Sequence, residues 1–146
     1  MTSAGKINIG IINFPGIANF GDFDAFNHED DAALFYVDAN TSIKNFHALD
    51  ALILPGTKNT FHALEWLRSS GLDDAIKNFP GFVFGICGGL QILGREISDE
   101  EHRENISATH SEGLKILPLV TNFNEDEKIT RQVSGIFEHE KISGYE

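Results

Sequence analysis

The chain opens on a run of apolar and β-branched positions, Lys6-Ile7-Asn8-Ile9-Gly10-Ile11-Ile12, that predicts a first strand. Turn formers follow it, from Asn13-Phe14-Pro15-Gly16 on to Gly21-Asp22. Residues 33–37 predict a second strand, and residues 48–54 a third that Pro55-Gly56 stops. Asn59 or Thr60 then caps a helix carrying Phe61, Leu64 and Leu67 on one face, with Gly71 at its end. Residues 72–79 resume as a short helix with Leu72, Ala75, Ile76 and Phe79 turned inward. Pro80-Gly81 breaks it, and Phe82-Val83-Phe84-Gly85-Ile86 is a continuous apolar strand. Such strands alternating with amphipathic helices predict a mainly parallel sheet covered on both faces.

After Arg95 the pattern changes. Residues 99–105 form a charged stretch that reads as solvated surface. Short alternating segments at 114–120 and 129–137 predict antiparallel strands and turns added to one side. The last residues, Ile142-Ser143-Gly144-Tyr145-Glu146, read as the start of another strand. No repeat or linker interrupts residues 1–146, which read as one C-terminally incomplete domain. A missing continuation would leave an exposed sheet edge or core surface, which favours dimerisation (a homo-oligomer) or instability.

Composition narrows the function classes. The chain has 22 acidic against 11 basic residues and a formal net charge of −11. That balance opposes nonspecific nucleic-acid binding and adsorption to anionic membranes, both of which need positive surface. No apolar run approaches the roughly 18 residues of a membrane span. The N-terminus has no basic region leading into an apolar one, so the expected location is cytoplasmic. One cysteine precludes an intrachain disulfide and any multi-cysteine metal site. No histidine pair has metal-ligand spacing, and no phosphate-binding Gly-rich loop with Lys-Ser/Thr is present.

The chemistry concentrates in Gly85-Ile86-Cys87-Gly88-Gly89-Leu90-Gln91. A strand, a sharp turn and a helix with glycines two before and two after the cysteine form the nucleophile-elbow pattern, with sulfur in place of oxygen. Side chains at Gly85 or Gly89 would crowd the turn. The helix start favours an anion, so thiolate formation at Cys87 is promoted, and the Gly88 N–H points toward an oxyanion forming on an attacked carbonyl.

These residues resemble the signature of triad-type glutamine amidotransferases. Further segments are similar to the amidotransferase domain of cobyric acid synthase. They are Asn19-Phe20-Gly21-Asp22-Phe23-Asp24, Leu54-Pro55-Gly56-Thr57-Lys58-Asn59-Thr60, Trp66-Leu67-Arg68, Glu112-Gly113-Leu114, Thr130-Arg131-Gln132-Val133-Ser134-Gly135 and Gly144-Tyr145-Glu146. Gly21 and Leu90 depart from the family, which carries a polar residue and an aromatic there.

The resemblance implies a flavodoxin-like α/β fold with Cys87 at the carboxyl edge of its strand. It implies that Cys87 forms a γ-glutamyl thioester from L-glutamine and releases ammonia. Gly56 and Gly88 would supply oxyanion N–H groups, and Gln91 would help hold the substrate. The ammonia acceptor would be a corrinoid carboxylate in cobalamin biosynthesis, activated by an ATP-dependent synthetase domain or subunit. ATP and magnesium belong to that partner, and no cofactor is expected in this chain. The family's catalytic histidine lies beyond Gly144-Tyr145-Glu146, and none of His28, His47, His62, His102, His110 and His139 occupies its context. Two other readings stay open: a catalytically inactive binding module, and a cysteine hydrolase or redox sensor sharing the elbow. The role of the segment 19–24 is open between a solvated face and a domain contact.

Overall fold

The computed structural model describes residues 3–41, 43–104, 107–123 and 131–145, without the side chains of 43–45 and 145. Asn105, Ile129, Thr130 and Glu146, which belong to segments read above, lie outside the described residues. Four parallel strands, β1 (Ile7–Ile12), β2 (Ala32–Val37), β3 (Ala51–Leu54) and β4 (Phe82–Gly85), form a sheet in the order β2-β1-β3-β4. This is the doubly wound arrangement of flavodoxin-like folds. The third strand starts later than the sequence predicts, because Ile43–Ala48 forms a 3-10 helix that brings buried Phe46 against the core.

The period-2 alternation of each strand divides its side chains between two cores. Ile12, Val37, Leu52 and Leu54 face one side, where α1 (Thr60–Ser70), α2 (Leu72–Lys77) and α3 (Gly88–Leu93) pack. Ile9, Ile11 and Ile53 face the other and meet Phe23, which the 3-10 helix Phe20–His28 inserts at 1% exposure. The loop 19–24 is thus a capped turn anchored by Phe23, with the Asn19 side chain accepting from the Gly21 N–H at 3.1 Å. Its acids Asp22 and Asp24 are exposed.

Both faces of the sheet carry a buried core, as expected, except at the edge strand β4. On the second face of β4, Phe82 and Phe84 remain 68% and 50% exposed and line an apolar hollow with Ile9, Phe26, Ala51 and Ile53. Their two rings stack with centroids 6.5 Å apart.

Helix α1 forms where the sequence places it. Its apolar positions bury Phe61, Ala63, Leu64 and Leu67, and the Asn59 carboxamide oxygen accepts from the His62 N–H at 2.8 Å. Gly71 ends it in the left-handed region (φ 72), its N–H donating to the Arg68 carbonyl.

The later segment carries β5 (Glu96–Ser98), β6 (His110–Glu112), β7 (Val120–Asn122), β8 (Gln132–Phe137) and β9 (Glu140–Tyr145). β8 pairs antiparallel with β9, as the alternating pattern predicts, while the antiparallel pair of β5 and β6 lies outside the segments read as strands. The pairing of β5 with β7 is parallel, which corrects the antiparallel expectation there, and only Val120 of 114–120 is strand. Local alternation fixes strand character but not the partner's direction. No helix among the described residues is long and apolar enough to cross a membrane.

Candidate functional site

Parallel pairing of β3 with β4 sets Leu54 opposite Gly85, so the loops leaving both strands emerge side by side at the carboxyl edge of the sheet. Ligands of open α/β sheets bind at such an edge. The Ile86 N–H donates to the Leu54 carbonyl at 2.9 Å, extending the register one residue beyond β4. Cys87 then takes φ 49 and ψ −113, a conformation L-residues rarely adopt. The Gly89 N–H donates back to the Ile86 carbonyl at 2.8 Å and the Gln91 N–H to the Cys87 carbonyl at 3.1 Å, so the chain turns directly into α3. The thiol is exposed at the tip of this turn.

The flanking glycines answer to close approach. A Cβ on Gly89 would lie 2.0 Å from the Leu54 carbonyl oxygen, and one on Gly85 2.7 Å from the Leu90 backbone. Gly88 is buried, and a Cβ there would meet the Thr57 methyl at 2.5 Å. Its N–H stands in the first turn of α3, where no intrahelical acceptor exists. Gly56 approaches from the β3 side: a Cβ built on it would lie 3.6 Å from the Cβ of Cys87. Its loop is stitched to the one after β1, with the Ala18 N–H donating to the Gly56 carbonyl at 2.8 Å and the Lys58 N–H to the Gly16 carbonyl at 3.0 Å. The exposed Cys87 therefore stands beside the buried backbones of Gly56 and Gly88. Gln91 lies one helical turn beyond Cys87, half-buried, with its carboxamide against the fully buried Thr60 hydroxyl at 3.2 Å.

The acidic stretch after Ser98 is exposed over residues 100–103, as expected of a solvated face, but Asp99 and Glu104 are not. Asp99 is fully buried and accepts the Arg103 and Glu104 N–H groups at 2.7 and 2.9 Å. Glu104 in turn reaches the start of α1, accepting the Thr60 N–H at 2.9 Å and the Thr60 hydroxyl at 2.6 Å. Sequence inspection missed Asp99, Glu104 and the second duty of Thr60. The partners that Thr60 finds lie about 30 to 45 residues away, beyond any local pattern.

All six histidines are exposed, and among the described residues none hydrogen-bonds to Cys87. His110 is occupied instead by Glu96, its Nε2 2.9 Å from that carboxylate. No group of three or more histidine, cysteine, aspartate or glutamate side chains among the described residues is arranged to hold a metal ion.

Comparison with known proteins bears on the fold and the family. A solved structure described as a putative peptidase E protein from Listeria monocytogenes EGD-e superposes with a TM-score of 0.62 at 14% identity, covering 97% of this chain and 88% of that one. At that identity it speaks for the fold alone, an α/β architecture built on a mainly parallel sheet. Cobyric acid synthase from Moorella thermoacetica is 41% identical over 158 residues, covering 99% of this chain and 30% of its own length. The same enzyme from Herpetosiphon aurantiacus is 42% identical, covering 92% and 27%, and that from Clostridium kluyveri 42%, covering 96% and 28%. The chain thus spans less than a third of the relatives it matches. Residues 8–146 match the model of the CobB/CobQ-like glutamine amidotransferase domain, and the chain belongs to that family.

Proposed function

We propose that this chain is the glutamine-handling module of a cobyric acid synthase, with Cys87 as its nucleophile. The observation that carries the reading is the elbow: an exposed thiol on a φ 49 residue, flanked by the Gly56 and Gly88 backbones. In the proposed reaction the Cys87 sulfur forms a bond to the carboxamide carbon of L-glutamine, and the carbonyl π pair moves onto oxygen. The Gly56 and Gly88 N–H groups stabilise that oxyanion, a contribution of roughly 100- to 1000-fold per donor. Collapse breaks the carbon–nitrogen bond, ammonia leaves with a proton, and the γ-glutamyl thioester is hydrolysed by water to glutamate and free thiol. Ammonia would pass to an ATP-dependent synthetase region, which would use ATP and magnesium to activate the corrinoid carboxylate. A cytoplasmic setting suits that chemistry.

A proton acceptor for the thiol is also required. That no described histidine reaches Cys87 favours a second reading, in which these residues bind glutamine without turning it over unless a base is added from elsewhere. Covalent trapping tests the first part of both readings. The 146-residue chain is treated with a diazoketone analogue of glutamine, and the adduct is located by peptide mass spectrometry. Modification at Cys87, protection by L-glutamine and no reaction in Cys87→Ala are the expected results. An adduct that L-glutamine does not suppress would refute the site. Ammonia release then separates the two readings: turnover lost in Cys87→Ala supports catalysis, whereas protected trapping without turnover supports the binding module.

A further inference from the structure

The Thr60 hydroxyl stands between two acceptors. It lies 2.6 Å from Glu104 Oε1 and 3.2 Å from Gln91 Oε1. One hydroxyl carries one proton, and a carboxylate can only accept. The shorter, charge-assisted contact to Glu104 takes that proton. The Thr60 oxygen then has only lone pairs to offer Gln91, and an amide oxygen facing them at 3.2 Å would be repelled. The two ends of a carboxamide are isosteric, so the network decides which end sits there. The arrangement without a clash turns Nε2 of Gln91 toward Thr60 and leaves Oε1 as an open acceptor on the other side.

We propose that Glu104 is a positioning residue for the Cys87 site: acting through Thr60, it fixes the Gln91 carboxamide with its oxygen presented to the ligand. This rests on the reading of Gln91 as a glutamine contact. The ligand group it selects is a donor, an ammonium or a carboxamide NH2, rather than a carboxylate.

Glu104 is itself held firmly. Its N–H is accepted by buried Asp99, and its carbonyl accepts the Asn59 Nδ2 at 3.1 Å. Its second carboxylate oxygen accepts the Thr60 N–H, an otherwise unpaired group in the first turn of α1. One N–H of the first turn of α1 and the orientation of Gln91 are therefore satisfied by the same side chain.

Two measurements on the 146-residue chain test this, one of them independent of any activity. In the first, 15N-edited NOE spectra read the distance between the Gln91 side-chain NH2 and the Thr60 methyl. Cross-peaks are expected in the wild type, and in Thr60→Ser to the β-protons of the introduced serine. They should be lost in Glu104→Gln, whose own NH2 can donate to Thr60 and free the hydroxyl for Gln91. Absence of the cross-peaks in the wild type overturns the relay whatever the site does. In the second, the L-glutamine concentration that halves Cys87 trapping by the diazoketone analogue is measured. Glu104→Gln and Thr60→Val should raise it roughly tenfold, the effect of one lost ligand hydrogen bond, while Thr60→Ser stays near wild type. Alkylation by iodoacetamide, which needs no pocket, should be unchanged, separating positioning from general damage. Equal protection in wild type and Glu104→Gln overturns the proposal. Cross-peaks present in a wild type that L-glutamine does not protect would refute the glutamine site, and with it the ligand half of the inference, while leaving the amide orientation supported.

Discussion

Substituting Gly89 by alanine sets two effects of opposite sign against each other. Position 89 lies inside α3, where alanine is favoured over glycine by about 1 kcal/mol. The new Cβ would sit 2.0 Å from the Leu54 carbonyl oxygen, 2.6 Å from its carbon and 2.7 Å from the Pro55 oxygen. Ordinary contact begins near 3.4 Å, so the elbow and the end of β3 must separate by about 1.4 Å (3.4 − 2.0). All three obstacles are backbone, fixed by the Ile86 N–H to Leu54 bond and the parallel register, so no rotamer change relieves them. Overpacking of a rigid core typically costs about 1–3 kcal/mol, and a backbone clash of this depth belongs at or above the upper end. Net destabilisation should be about 2 kcal/mol or more, which lowers the urea midpoint by roughly 1 M at a slope near 2 kcal/mol/M. Gly56→Ala is the internal control. Its Cβ meets only contacts of 3.6–3.9 Å, and its unfolding curve should stay within about 0.5 kcal/mol of wild type. Urea unfolding followed by circular dichroism reads both. A Gly89→Ala protein as stable as wild type would refute the close approach of α3 to the end of β3.

Other expectations follow from single contacts. Asn59→Ala removes the cap of α1 and the Nδ2 bond to the Glu104 carbonyl, and should cost about 1–2 kcal/mol in the same unfolding assay. The β8–β9 turn holds Glu138 and His139 at φ 46 and 73, a left-handed pair that Asn-Gly adopts without strain. Glu138→Asn with His139→Gly should therefore sharpen β8–β9 amide protection in hydrogen exchange, and unchanged protection would refute the turn geometry. The Lys115 ammonium, 2.7 Å from Glu112, holds that carboxyl below the ordinary glutamate value. Its small contribution is present above the unfolded value and is lost as pH falls through the folded one. An NMR titration should show the Glu112 midpoint rising in Lys115→Met.

Much of this molecule could be read along the chain. Strands β1 to β4, helices α1 and α2, and the elbow at Cys87 follow from continuous apolar runs, caps and glycine spacing. Those are local rules, since each rests on residues within a turn or a pleat of one another. Family resemblance added Gly56 and Gln91, which no local pattern singles out. Tertiary structure decided the rest. The exposure of Phe82 and Phe84 depends on which elements cover β4, and that is not a property of the strand's own sequence. The parallel pairing of β7 depends on where the chain re-enters beside β5. The acids Asp99 and Glu104 read as solvated charge until the fold gives each its partners. Asp99 gathers the N–H groups that follow it, and Glu104 arrives at the first turn of α1, where an unpaired N–H and a buried hydroxyl satisfy it. A carboxylate's place, inside or outside, is set by the partners it finds there. Those of Glu104 are dozens of residues distant, so only the fold could bring them together.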